Sequence, residues 1–222
     1  MKQTPVHDNY NPDLLSAIPR DANIVVEGGS SSGALARAYK EINQHCRYIG
    51  IEVEPDYALM SQRYCDEVLL ENIDNLEDSI FDKLAETDCW IFGDVLEHLV
   101  DPWALLRKVR GTLSINGCVV ACIPNMQHWS IQLKLNSGML QYEPTGLLDR
   151  THLRWFTRIT MIELFTSTGY KIVEGKPRIF RGEQDERMLN IVRATAVALG
   201  NDPDQAVTDA SPLQYVVKAI PT

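Results

Sequence analysis

Two short stretches carry side chains able to move a proton. The segment DVLEHL places Asp94, Glu97 and His98 within five residues, and a second imidazole, His152, lies in DRTHLRWFT. An imidazole whose ordinary pKa is about 6.5 can take the proton of an attacking alcohol near neutral pH. Carboxylates and imidazoles can also hold a divalent ion that lowers an alcohol's pKa. The preferred catalytic set is therefore Glu97, His98 and His152 without a metal, with either histidine as general base. A bland reading stands beside it: Glu97 and His98 form a structural hydrogen-bonded pair, and His152 is a satisfied loop histidine.

A third stretch, VVEGGSSSGALA (25–36), joins an apolar run to a run of helix formers through glycines and serines. Glycines let a ligand approach the backbone, and the following helix start offers free N–H groups and partial positive charge. Two frames fit. From Gly28 the turn reads G-x-S-x-x-G, close to the dinucleotide fingerprint, but Ser30 stands where a pyrophosphate needs a bare position. From Glu27 it reads E-x-G-x-S-x-G, with a carboxylate at the strand end. That carboxylate repels a pyrophosphate and suits an ammonium, which S-adenosylmethionine carries. Glu52, 23 residues after Gly29, is placed to accept both ribose hydroxyls. Asn72 offers a side-chain oxygen to an adenine amine.

These residues need elements to hold them. NIVVE (23–27), RYIGIEVE (47–54), DEVLLE (66–71), CWIFGDV (89–95) and GCVVACIP (117–124) read as strands. Helices are expected at Pro12–Ile18, 32–41, 55–64 and 76–86, and from Asp101-Pro102, an N-cap followed by a first-turn proline, to Leu113. Strands apolar throughout indicate a parallel sheet covered on both faces. After residue 124 the pattern loosens. RITMIELFTSTGY (158–170) reads as a helix, KIVEG (171–175) and LQYVVKAI (213–220) as strands, 183–200 as a helix, and GNDPDQAVTDASP (200–212) as a polar loop. The expected fold is α/β: a Rossmann-like, doubly wound, seven-stranded mixed sheet with its last strand antiparallel and helices on both faces. Residues 1–222 form one domain, with 1–22 as a lead-in and 125–157 as an acceptor-side lid insertion.

The 222 residues suffice for one full core, and 45% hydrophobic with 23% charged residues is ordinary for a globular chain. No run is long and apolar enough for a membrane helix, and the N-terminus lacks the apolar centre of a secretion signal. The net charge of −9 argues against non-specific nucleic-acid binding, though not against an RNA acceptor held by a local patch. Five cysteines without paired short spacing point to neither disulfides nor zinc. Cys65, Cys89 and Cys118 are expected to pack as small hydrophobes, and the compartment is read as reducing and cytoplasmic. Trp129, Trp155 and Phe156 are expected as lid packing rather than a sugar platform, and Arg150 and Arg154 as partners of surplus acids rather than of an acceptor phosphate. His7, His45 and His128 receive no role.

Taken in order, VVEGGSSSGALA, YIGIEVEP, FGDVLEHLVDPW, GCVVACIPNMQHWS and GLLDRTHLRWFT resemble class I S-adenosylmethionine-dependent methyltransferases. The nearest group is bacterial and often associated with surface-polysaccharide and glycosyltransferase genes. The resemblance spans about residues 10–175. It implies that Glu27, Gly29, Ser31 and Gly33 line the methionine part of the cofactor, that Glu52 holds the ribose, that Asn72 and Ile73 border adenine, and that Asp94 lies near the methionine end. The family commonly has glycine at the Ser31 position and aspartate at the Asn72 position. Asp94, Glu97, His98 and His152 are also similar to a Glu-x-x-Glu-His plus His constellation that grips a divalent ion, such as Mg²⁺, in two class I groups. Here the first arm is the shorter aspartate, and the metal set is the alternative to a metal-free base. The implied activity is O-methylation of a saccharide or small-metabolite hydroxyl, with a homodimer kept open. The rivals are an NAD-dependent sugar oxidoreductase or epimerase, which Glu27, Ser30 and the lack of a Tyr-x-x-x-Lys pair oppose, and a non-catalytic S-adenosylmethionine-binding partner of a glycan-assembly complex.

Overall fold

A computed structural model describes residues 8–180, 182 and 185–222. Residues 1–7 of the expected lead-in, and 183–184 of the helix expected at 183–200, lie outside the described residues. In chain order the elements are α1 (Pro12–Ala17), β1 (Ile24–Gly28), α2 (Ala34–Ile42), β2 (Arg47–Glu52), α3 (Pro55–Ser61), β3 (Glu67–Leu70), α4 (Asp78–Lys83), β4 (Thr87–Gly93), α5 (Pro102–Arg110), β5 (Leu113–Pro124), α6 (Trp129–Asn136), α7 (Arg158–Ser167), β6 (Tyr170–Arg178), α8 (Asp185–Ala198), α9 (Pro203–Ala210) and β7 (Gln214–Pro221).

The seven strands form one sheet in the order β3-β2-β1-β4-β5-β7-β6. β1 pairs in parallel with β2 and β4, β2 with β3, and β4 with β5. β7 runs antiparallel to both β5 and β6. The chain therefore winds outward from β1 to β3 and returns to β4, so the strand order reverses between β1 and β4. A crevice opens beyond the carboxyl ends of the strands at such a reversal.

The continuous apolar runs follow from burial on two faces. Val25 and Val26 are adjacent and both fully buried, yet they enter different cores. Val26, Ile49, Trp90 and Phe92 pack with Leu105 and Leu106 of α5 and Leu164 and Phe165 of α7. Val25, Tyr48, Ile91 and Val120 pack with Leu14 of α1 and Leu35 and Tyr39 of α2. Burying one such side chain is worth about 1.5–3 kcal/mol, so the two cores hold the strand ends rigidly. All five cysteines are buried, unpaired and in the second core, as expected for Cys65, Cys89 and Cys118.

Five expectations fail. The helix opened by Asp101 ends at Arg110 rather than Leu113, and β5 begins at Leu113, not 117. The region 125–157 is not all irregular, because α6 occupies eight of its residues. β6 runs past Gly175 to Arg178. The polar segment 200–212 contains α9, started by the same device as α5: the Asp202 carboxylate accepts from the N–H groups of Asp204 (2.9 Å) and Gln205 (3.1 Å), with Pro203 at the first position. Its apolar signal is faint because an inward residue is itself charged. Asp209 is buried and takes the Arg158 guanidinium at 2.6 Å.

Candidate active site

The turn from β1 into α2 sits at the mouth of the crevice. Its left-handed residues are Gly29 (φ 71°), Ser31 (φ 48°) and Gly33 (φ 76°), the alternate positions of the E-x-G-x-S-x-G frame. Gly33 is required, since a Cβ there would stand 3.0 Å from the Ser61 Cα. The turn is tied down by the Gly29 and Ser30 N–H groups, which donate to the Ile51 carbonyl at 2.8 and 3.2 Å. The obstruction expected of Ser30 is absent. Its side chain is buried, its hydroxyl lies 3.3 Å from that of Ser61, and it fills the space beside Gly50.

Two carboxylates flank the turn. Glu52, at the end of β2, is buried and accepts from the N–H groups of Ser31 (2.8 Å), Val53 (2.9 Å) and Glu54 (3.0 Å). Glu27, at the end of β1, is 6% exposed and accepts from the Tyr48 hydroxyl at 2.9 Å. Burial pushes the Glu27 carboxyl up to about 8, against the Tyr48 hydrogen bond and with a contribution from the Glu52 charge. Asn72 is exposed after β3, where its side-chain oxygen accepts from the Asp74 N–H at 3.0 Å. The neighbouring Ile73 reaches over Gly28, where an added Cβ would meet its Cδ1 at 2.6 Å. Asp94 follows β4 with φ 55° and accepts from the Gln214 amide of β7.

Beyond Asp94 the chain makes one tight turn, Leu96–His98, which turns Glu97 inward. Glu97 is 1% exposed, and among the described residues neither carboxylate oxygen has a hydrogen-bond partner. An ionised carboxylate in that setting would cost several kcal/mol, so Glu97 is neutral unless a cation approaches. Burial first, and then the charges of Asp94 and Asp149, hold its pKa well above the carboxylate range. The Glu97 backbone carbonyl receives the N–H groups of Leu153 (2.8 Å) and Arg154 (2.9 Å), which brings the distant loop onto the end of β4. His152 thereby comes to rest with Nε2 3.9 Å from Glu97 Oε1, and its ring lies 4.7 Å from that of His98.

One donor atom from each of Glu97, His98 and His152 lies within 4.8 Å of the others. Asp94 is not part of that group, so the four-ligand set expected from the resemblance reduces to three. The hydrogen-bonded Glu97–His98 pair is not formed either. Instead His98 Nδ1 lies 3.2 Å from the Thr151 carbonyl and His152 Nδ1 lies 3.3 Å from the Leu147 carbonyl. A carbonyl can only accept, so each Nδ1 carries the hydrogen and each Nε2 keeps a lone pair. Burial lowers the pKa of both rings; for His152 the nearby His98 lowers it further.

The loop is closed at its base, where Asn125 bridges Phe156 and the Met126 N–H donates to the Phe156 carbonyl at 2.8 Å. Phe156 is packed as expected, but Trp155 is 44% exposed and lines a shallow cavity of about 240 Å³ with Trp103, Arg154 and Glu163. Among the described residues Arg154 bridges no acid: its guanidinium donates to the Val100 and Leu153 carbonyls. Sequence reading missed Tyr48, whose role depends on strand pairing. It also missed Asp149 and Thr151, although an Asp-x-Thr spacing is the mark of a side chain folding back on its own turn.

A protein-family profile described as Methyltransferase domain matches residues 8–175, and the chain belongs to that family. It is accordingly a methyl-transferring enzyme. No curated protein matches the chain significantly. Among solved structures it is similar to a chain of the complex between the Haloferax volcanii Trm112 methyltransferase activator and a methyltransferase, at 16% identity and a TM-score of 0.61, covering 95% of this chain and 88% of that one. A SAM-dependent methyltransferase of Thermotoga maritima is similar at 15% identity and a TM-score of 0.60, covering 94% and 88%. NcsB1, an O-methyltransferase from neocarzinostatin biosynthesis solved with S-adenosylmethionine and a hydroxy-methyl naphthoic acid, is similar at 12% identity and a TM-score of 0.58, covering 95% of this chain and 53% of that one. At these identities the likeness establishes the shared fold. Among the described residues no helix is long and apolar enough to cross a membrane.

Proposed function

We propose that this methyltransferase moves the methyl group of S-adenosylmethionine onto a hydroxyl of a small acceptor, a saccharide or another small metabolite. One observation carries the cofactor assignment: two buried carboxylates, Glu27 and Glu52, flank a turn whose left-handed residues alternate at 29, 31 and 33. Glu52, joined by Glu27 once the latter gives up its proton, makes an acidic floor that attracts an ammonium and a sulfonium and repels a diphosphate. Glu27 would face the ammonium, with Gly29, Ser31 and Gly33 along the methionine chain. Glu52 would take the ribose diol, Asn72 and Ile73 the adenine, and Asp94 the methionine end. NcsB1, with its hydroxy-aromatic ligand, supports an oxygen acceptor.

When bound, the cofactor supplies an electrophilic methyl carbon on a cationic sulfur. The protein's task is to align the acceptor oxygen with that carbon and to receive its proton. The lone pair on Nε2 of His98 or His152 takes the hydroxyl proton as the oxygen attacks carbon. The carbon–sulfur electron pair would stay with the sulfur, so that the cofactor would leave as S-adenosylhomocysteine. Neutral Glu97, buried beside both rings, keeps the pocket free of a competing anion.

A second reading has its own observation. The unbonded Glu97 carboxylate and two imidazole lone pairs form a donor set of the kind that holds a divalent ion. Glu97, His98 and His152 would hold it, and it would lower the pKa of an acceptor hydroxyl. Calorimetry with S-adenosylhomocysteine and NAD side by side tests the cofactor, and tighter NAD binding overturns the proposal. Loss of turnover in EDTA with rescue by Mg²⁺ or Mn²⁺ selects the metal reading, and unchanged turnover selects the metal-free base.

A further inference from the structure

From the hydrogen-bond chain behind His98 we infer that Asp149 and Thr151 form a relay that fixes the His98 tautomer and so keeps its Nε2 bare for chemistry. The relay rests on the reading of His98 as a working residue, but it serves a general base and a metal ligand equally, since both need an unprotonated Nε2.

The argument is one of hydrogen counting. Asp149 is 4% exposed, and its Oδ1 accepts both the Thr151 N–H at 2.8 Å and the Thr151 hydroxyl at 2.6 Å. The Thr151 hydroxyl owns a single hydrogen, and the carboxylate takes it. The same hydroxyl oxygen lies 3.0 Å from His98 Nδ1, so it can only accept there. The Thr151 carbonyl, 3.2 Å from the same nitrogen, can also only accept. Both partners thus demand a hydrogen on Nδ1. Without Asp149 the hydroxyl hydrogen would be free to swing toward Nδ1, leaving the Thr151 carbonyl as the one partner that holds the ring hydrogen there and letting the Nε2–H form compete.

The relay also explains why the segment GLLDRTHLRWFT is compact. Asp149 receives the Thr151 N–H through its side chain and the His152 N–H through its carbonyl at 3.1 Å, so one residue sets the turn that presents both Thr151 and His152.

The test is the ring hydrogen itself. Protein labelled with ¹⁵N-histidine is recorded by long-range ¹H–¹⁵N correlation in EDTA, so that no stray ion imposes a form, and His98 is assigned from its loss in His98→Gln. In the wild-type protein the Nδ1–H form is expected in roughly tenfold excess, the ratio that one net hydrogen bond of about 1.4 kcal/mol supports. Thr151→Val and Asp149→Ala are each expected to reduce that ratio severalfold, and Thr151→Ser to retain it. A wild-type His98 with its hydrogen on Nε2, or a ratio unchanged in both Thr151→Val and Asp149→Ala, overturns the relay. The wild-type measurement needs no variant to fold. Titration with S-adenosylhomocysteine is run in parallel. Failure to bind it would remove the cofactor reading and leave the tautomer result standing.

Discussion

Glu27 ties cofactor affinity to pH in a way that can be worked through. Burial pushes its carboxyl up to about 8 from an ordinary 4.5, so the ligand-free protein carries Glu27 protonated at pH 6–7. Pairing with an ammonium requires the carboxylate, and binding in that range must release a proton. Between pH 6 and 8 the ionised fraction of Glu27 rises from about 0.01 to about 0.5, while an α-amino group with a pKa of about 8 falls to about half charged. The product grows about 25-fold, equivalent to about 2 kcal/mol, and declines again above pH 8 as the amine loses its proton. The same shift acts on stability with the opposite sign. A carboxyl raised in the folded state contributes stability that is complete below pH 4.5 and is lost as pH climbs to about 8, an upper bound of about 5 kcal/mol. Glu27→Gln, which can still accept from Tyr48, should therefore bind S-adenosylhomocysteine more weakly at pH 8 and lose the pH dependence. It should also melt at higher temperature than wild type at pH 7–8, but not at pH 4.5. Calorimetry at pH 6, 7, 8 and 9 in buffers of different ionisation enthalpy reads both affinity and proton release. Equal affinity at pH 6 and 8 with no proton released would refute the reasoning, because Glu27 would then not meet the ammonium.

Other perturbations test separate parts of the structure. His98→Ala and His152→Ala should each lower turnover by about 10²–10⁴-fold, the usual weight of general acid–base catalysis, while S-adenosylhomocysteine affinity stays within about twofold; full turnover in both variants removes them from the mechanism. Gly33→Ala puts a Cβ on a left-handed residue 3.0 Å from the Ser61 Cα, and chemical denaturation should register a loss of about 1–3 kcal/mol together with weaker cofactor binding. Asp209→Ala leaves the Arg158 guanidinium without its carboxylate and should cost about 2 kcal/mol in thermal melts. The double variant with Arg158→Ala should cost less than the two single losses combined, as expected of groups in direct contact.

The strand pattern was legible because it rests on local chemistry. Apolar, β-branched runs ended by glycine or an acid and separated by helix-length segments fit buried parallel strands, and Asp-Pro at 101–102 carries its own helix start, with the Asp101 side chain accepting from the Ala104 N–H. By the same logic α9 was legible too, since Asp202-Pro203 repeats that signal, but its buried face is Asp209 rather than a leucine, and hydropathy hides it. Glu27, Glu52 and the glycine turn could be placed at one end of the sheet from spacing alone, because parallel strands bring every carboxyl end to the same edge. The catalytic cluster was readable only as a set of residue types. Fifty-three positions separate His98 from Thr151, and nothing local to either says that they meet.

The amino-acid sequence alone thus determined the sheet, the location of its ligand-facing edge and the acidic character of that edge, since each follows from residues within a few positions of one another. Tertiary structure decided that Ser30 turns away from the mouth, that Asp94 bonds to Gln214 instead of joining the histidines, and that Glu97 is left buried without a partner. It also set the hydrogen on each imidazole. These are consequences of packing one chain segment against another across β4, β7 and the loop at 147–154, and a proton's position depends on which carbonyl or hydroxyl happens to stand within 3 Å or so, a distance no local pattern encodes.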